Sequence, residues 1–238
     1  MSKKSPEESI RIDKTYIETR LVKMRELPEN QRDNFYSLFG VLSKSIAQNY
    51  LLLNNKSEAR YWFIESAQYY YKFQNLAGYS DIESLPMLYS AILSENMDAK
   101  HMCAEAILKM NLKQDIKADI VYKAVLSLAY AIMKKENESL DHINKLAQSE
   151  RKYWKKVTGS YEGLAKALDG IVNHNKEMVL EGITRILELF KKRKTRSEEL
   201  LCIDAIALIL LARDYDIKIY LKEIDVKFRS LVPTVVFE

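Results

Sequence analysis

The sequence predicts an all-α protein, an irregular α-solenoid of stacked helical hairpins with a period of about 40 residues. Three observations carry this. Between Pro86 and Pro233 there is no proline, and the six glycines are scattered singly, so little interrupts a helix. The chain is rich in Ala, Leu, Lys and Glu, good helix formers. One local event also recurs: an apolar helix end, a few polar residues rich in Asn, then a new amphipathic helix. It reads LLNNKSEARYWFI from Leu52, ILSENMDAKHM from Ile92, IMKKENESLDHI from Ile132 and IVNHNKEMVLEGI from Ile171, so the anchors are almost evenly spaced. LLARDYDIKI, from Leu210, repeats the ending after one more such interval.

The elements follow in order. A charged start, MSKKSPEES, gives way to a helix over 7–26, and a second helix over 32–53 ends at the first Asn-rich turn. The third, 57–77, carries the densest aromatic run; helices over 83–95 and 98–110 flank the second turn. Helices over 115–134 and 138–149 flank the third turn, and 152–172 and 175–193 the fourth. The last, 197–214, opens on Thr195 and Glu198, which fit a capping box. Beyond Tyr215 two patterns compete. IKIYL and IDVKF alternate like strands, while Leu221, Ile224, Phe228 and Leu231 fit a helical face. The expected organisation is a flexible tail over 1–9, one helical array over 10–215, and a segment over 216–238 packed on it.

At 238 residues such a domain buries roughly 70 % of its unfolded surface and needs no staples. Cys103 and Cys202 stand far apart without a CxxC neighbour, as reduced thiols of a cytoplasmic protein do. The start has no apolar stretch behind it, and no run is long enough to span a bilayer, so no membrane role is expected. The net charge of +4, from 37 basic and 33 acidic residues, is too balanced for a nucleic-acid footprint. Only KKRKTR, 191–196, is dense. Cations there complement a helix C-terminus, or form a patch that binds phosphate or steers a partner.

No catalytic, metal or cofactor residues are expected. His101, His142 and His174 lack HxxxH or HxH partners, and there is no glycine-rich phosphate loop, GxSxG elbow or paired-carboxylate motif. Gly159, Gly163, Ala167 and Gly170 line one helix face, and glycine inside a helix costs about 1 kcal/mol against alanine. Close approach of the helix carrying Gly182, Ile183 and Ile186 offsets that cost; the alternative is the floor of a ligand groove.

Along RYWFIESAQYYYKF and the Ala59 before it, residues Ala59, Phe63, Ser66, Tyr70 and Phe73 form a core face. A second line, Trp62, Glu65, Tyr69 and Lys72, mixes rings with charge. Trp62 and Tyr69, with Trp154 in RKYWKK, either pack against neighbouring helices or anchor a protein partner.

LLCIDAIALILLA is apolar all round, as a helix inside an array must be, so Asp204 needs a cationic or hydrogen-bonding partner. Arg213 is nine residues on and half a turn out of phase, which places that partner on another helix. The order Asp204, seven mostly apolar residues, Ala212 and Arg213, two residues, a turn at Asp216, alternation from Ile217 and a late Pro233 resembles the C-terminus of the Imm49 family of bacterial immunity proteins. The resemblance covers the C-terminal segment alone, from the start of this apolar run onward. The family pattern has glycine where Asp216 stands, and aspartate tolerates the left-handed conformation better than most residues. The resemblance implies a non-catalytic protein that binds and neutralises a cognate toxin, with Asp204, Arg213 and Pro233 as structural residues. The rival expectation is a tetratricopeptide-like scaffold or regulator binding a peptide or, with less support, nucleic acid.

Overall fold

The computed structural model describes residues 4–78, 81–110, 120–153, 160–193 and 201–237. It is all-α, and no strand occurs among the described residues. The helices are α1 (Pro6–Arg25), α2 (Asp33–Leu52), α3 (Lys56–Ala77), α4 (Asp81–Leu93) and α5 (Met97–Lys109), followed by α6 (Ile120–Ile132), α7 (Glu136–Tyr153), α8 (Ser160–Val172), α9 (Lys176–Arg193) and α10 (Ile203–Asp214). Short 3₁₀ turns lie at Glu29–Gln31, Leu221–Glu223, Val226–Leu231 and Thr234–Phe237. No described helix is long and apolar enough to cross a membrane.

The recurring sequence event is a recurring backbone event. Asn54, Glu95, Lys134, His174 and Asp216 all have φ between 52° and 60°, and they repeat at the nearly even spacing of the sequence event. Each is the left-handed residue that ends a helix, and its N–H returns to the carbonyl three residues earlier: Leu51, Ile92, Ala131, Ile171 and Arg213. In four of the turns the next N–H reaches back five residues: Asn55 to Tyr50 at 2.9 Å, Lys135 to Tyr130 at 3.0 Å, Asn175 to Gly170 at 2.7 Å and Ile217 to Ala212 at 3.0 Å. The pair of bonds satisfies carbonyls that a helix end leaves open. Asn55, Asn96 and Asn175 then cap the following helix through Oδ1, accepting from the N–H of Glu58, Ala99 and Met178. An Asn-rich turn therefore closes one helix and opens the next within three residues.

The chain divides into two compact units, Met1–Cys103 and Ala104–Glu238, with the boundary inside α5. In the first, α2 packs on α3, α3 on α4 and α1 on α2. In the second, α6 packs on α7, α7 on α8 and α8 on α9, and α8 also touches α6 and α10. The first helix of a hairpin is the more deeply buried. Nine of the 12 residues of α10 are buried, and so is nearly all of α6 from Ala124 to Ile132. The second helix buries one stripe, as Val179, Gly182, Ile183, Ile186 and Leu187 do on α9. Full burial of each Leu or Ile contributes about 1.5–3 kcal/mol, so the inner helices hold much of the stability.

Several boundaries differ from expectation. Ser5 caps α1, with Pro6 in the first helical position, so residues 6–9 are helical. Helix α7 continues to Tyr153, and α8 begins at Ser160. Helix α10 begins at Ile203: Leu201 and Cys202 are not helical, the N–H of Cys202 donating to the Leu231 carbonyl at 3.0 Å instead of continuing a helix, and residues 197–200 of the expected helix lie outside the described residues. Thr195 and Glu198 lie outside the described residues. The tail is neither strand nor regular helix. Ile217 and Ile219 are buried from an extended stretch, whereas Ile224, Phe228, Leu231, Val235 and Val236 are buried from or beside 3₁₀ turns.

Candidate functional site

The aromatic lines of α3 separate by depth. Phe63, Ser66 and Tyr70 are buried. The Ser66 hydroxyl donates to the Gly40 carbonyl at 2.8 Å, and a Cβ on Gly40 would stand 2.8 Å from the Tyr70 ring, so glycine lets that ring lie on α2. Trp62 and Tyr69 are half-buried and pack against Ile10, Ile17, Met24, Phe39 and Ile46, the joint core of α1 and α2. Tyr69 stacks on Tyr36 at 6.4 Å and meets Phe39 edge-on at 5.3 Å. Burial, with Glu65 adding, pushes its hydroxyl up to about 12. Lys14 Nζ lies 5.1 Å above the Trp62 ring and donates to the Tyr50 hydroxyl at 2.9 Å. These rings seat α1 on the α2–α3 pair and remain partly exposed. The ring that α3 leaves open is its neighbour Tyr61, at 52 % exposure, which lies off both lines. Trp154 falls outside the described residues.

At the C-terminal end, the late start of α10 changes the position of Asp204. It is the second helical residue, half-buried in a first turn whose free N–H groups favour a carboxylate. Arg213 sits in the last turn of the same helix, where a cation opposes the negative end of the dipole. Each charge thus answers its own end of a 12-residue helix. At the end of α10, just before the turn at Asp216, Tyr215 reaches across, its hydroxyl donating to the Ala131 carbonyl at 2.7 Å and its ring 5.9 Å from His174. Pro233 is half-buried, and its carbonyl accepts from the Val236 N–H at 3.1 Å to close the last 3₁₀ turn.

The small-residue stripe of α8 is filled by α9. A Cβ on Gly163 would lie 2.6 Å from Ile186 Cγ1 and 2.9 Å from the Gly182 carbonyl, and one on Gly182 only 2.5 Å from the Ala167 nitrogen. Backbone meets backbone there, and Gly182 and Ile186 occupy the space a groove would need. Gly159 lies outside the described residues.

No group of three His, Cys, Asp or Glu side chains is placed to hold a metal among the described residues. His142 stacks on Tyr130 at 5.3 Å, and burial holds its imidazole below the ordinary 6.5. Burial pushes the Cys103 thiol up to about 12, which leaves it protonated near neutrality. Of the basic run, Lys191, Lys192 and Arg193 are exposed in the last turn of α9. Fold and side chains together define an all-α protein of paired helices with charged outer faces. No protein-family model, curated protein or solved structure matches the chain.

Proposed function

We propose that this chain is an immunity-type protein that binds a cognate toxin through the surface of its helical hairpins and neutralises it without catalysis, in the cytoplasm. The observation that carries the reading is the C-terminal hairpin turn. Asp216 has φ 60°, the left-handed conformation that glycine adopts most easily, at the position where the Imm49 pattern has glycine. Ala212 and Arg213 supply the carbonyls that accept from Ile217 and Asp216, so the quoted motif coincides with one structural device. Helical hairpins that bury their first helix and expose their second offer an extended polar surface, which suits recognition of a folded partner.

The test is to express, together with this chain, the proteins encoded by the genes on either side of its own, seeking one that is toxic alone. Rescue of growth together with a stable complex on size-exclusion chromatography supports the reading. Rescue without a complex, or a complex that leaves the toxin active, refutes it. Capture of a peptide-bearing regulator in place of a toxin supports the tetratricopeptide-like scaffold.

A further inference from the structure

The C-terminal segment lies against α9, and four lysines line the seam in two pairs. At the start of α9, Lys176 Nζ is 5.1 Å and Lys222 Nζ 5.6 Å from the centre of the Tyr220 ring. In its last turn, Lys191 Nζ is 5.8 Å and Lys227 Nζ 4.7 Å from the centre of the Phe228 ring. Fifteen residues of helix separate Lys176 from Lys191, so the pairs stand about 22 Å apart. Lys176 pairs with Glu223 at 2.7 Å and Lys227 with Asp225 at 3.0 Å. Among the described residues, Lys191 and Lys222 have no carboxylate within ion-pair distance. Each pair therefore sets two ammonium groups against one carboxylate, Lys176 and Lys222 around Glu223 and Lys227 and Lys191 around Asp225, which leaves each end of the seam net positive. Tyr220 and Val226, at 49 % and 72 % exposure, add apolar surface to the same segment.

We propose that this seam is a docking surface for an acidic protein partner, with Lys191 and Lys222 receiving carboxylates. The inference rests on the partner-binding reading above, but it does not require the partner to be a toxin. An ammonium held over a ring has lost part of its rotamer freedom before binding, which lowers the cost of fixing it in an interface. Charge complementarity then favours an acidic face, and exposed Tyr220 and Val226 supply contacts of the kind protein interfaces use. A nucleic acid fits less well. The Tyr220 ring is already engaged by two ammonium groups instead of open to a stacking base, and the carboxylates of Glu223 and Asp225 oppose a continuous phosphate chain.

The test is fluorescence anisotropy with the full chain at physiological ionic strength, using a labelled glutamate-rich peptide of about twenty residues and an oligothymidylate of about twenty nucleotides. The peptide should bind more tightly than the oligonucleotide. Lys191→Glu with Lys222→Glu should weaken peptide binding by about tenfold, while Arg11→Glu with Lys23→Glu on α1, an equal change of charge, should leave it unaltered. Thermal melting checks the fold of both, and Lys191→Gln with Lys222→Gln serves if the reversal unfolds the chain. Absence of peptide binding, equal losses from the two double variants, or tighter binding of the oligonucleotide overturns the seam. A toxin complex untouched by the Lys191 and Lys222 changes also overturns it and leaves the immunity reading standing. Peptide binding that follows these variants in a chain that neutralises no toxin does the reverse.

Discussion

Asn54 shows most simply what the turns ask of a side chain. It is exposed and left-handed, in the conformation that brings Cβ close to the following carbonyl oxygen in every residue but glycine. Asn54→Val should lower stability by about 1–2 kcal/mol, whereas Asn54→Gly should change it by a few tenths, as read from thermal or denaturant unfolding. Asp204 sits half-buried in the first turn of α10, so its replacement by Ala should lower stability by about 1 kcal/mol through the lost helix-end interaction alone, as read from thermal unfolding, with the loss of any side-chain contact adding to that. His142 supplies a pH dependence. Because burial depresses its folded pKa below 6.5, the unfolded chain takes up this proton first as pH falls. Its contribution is fully present above about 6.5 and is lost as pH drops through that value towards the folded pKa. In His142→Phe, which keeps a ring on Tyr130, the decline in melting temperature between about pH 7 and pH 5 should be shallower than in the parent.

The crossing of α8 on α9 makes a prediction opposite in sign to helix propensity. Alanine in place of an internal helical glycine usually stabilises by about 1 kcal/mol. Here the new Cβ of Gly163→Ala or Gly182→Ala would meet backbone atoms of the facing helix at 2.9 Å or less, so each should destabilise by about 1–3 kcal/mol in denaturant unfolding. This contact is readable in the sequence, because glycines at helical spacing on one segment have a matching glycine on the next. The hairpin turns are readable because Asn caps the next helix at three of them, although only Asn54 among the five left-handed residues is itself an Asn. The start of α10 is not. Leu200, Leu201 and Cys202 continue an apolar run, and the competitor that ends the helix, the Leu231 carbonyl, comes from beyond the far end of α10. The tail misleads in both directions because extended and 3₁₀ backbone alternate within it, and each buries residues at its own spacing.

Across the chain, the sequence discloses far more of the fold than of the site. Trp62 and Tyr69 read as core first and as anchors second, but nothing in α3 itself says that α1 will cover them. Of the seam lysines only Lys191 lies in KKRKTR, and Lys222 and Lys227 join it and Lys176 only because the C-terminal segment lies on α9. What the paired helices are proposed to do is to occupy a partner, molecule for molecule. The deciding measurement is a titration of the toxin's activity with increasing amounts of purified chain. If the chain acts by binding, residual activity falls linearly and reaches its floor at about one equivalent, unchanged by longer incubation. Activity abolished well below one equivalent, and falling further with time, would mean that the chain turns over and that the binding account is wrong.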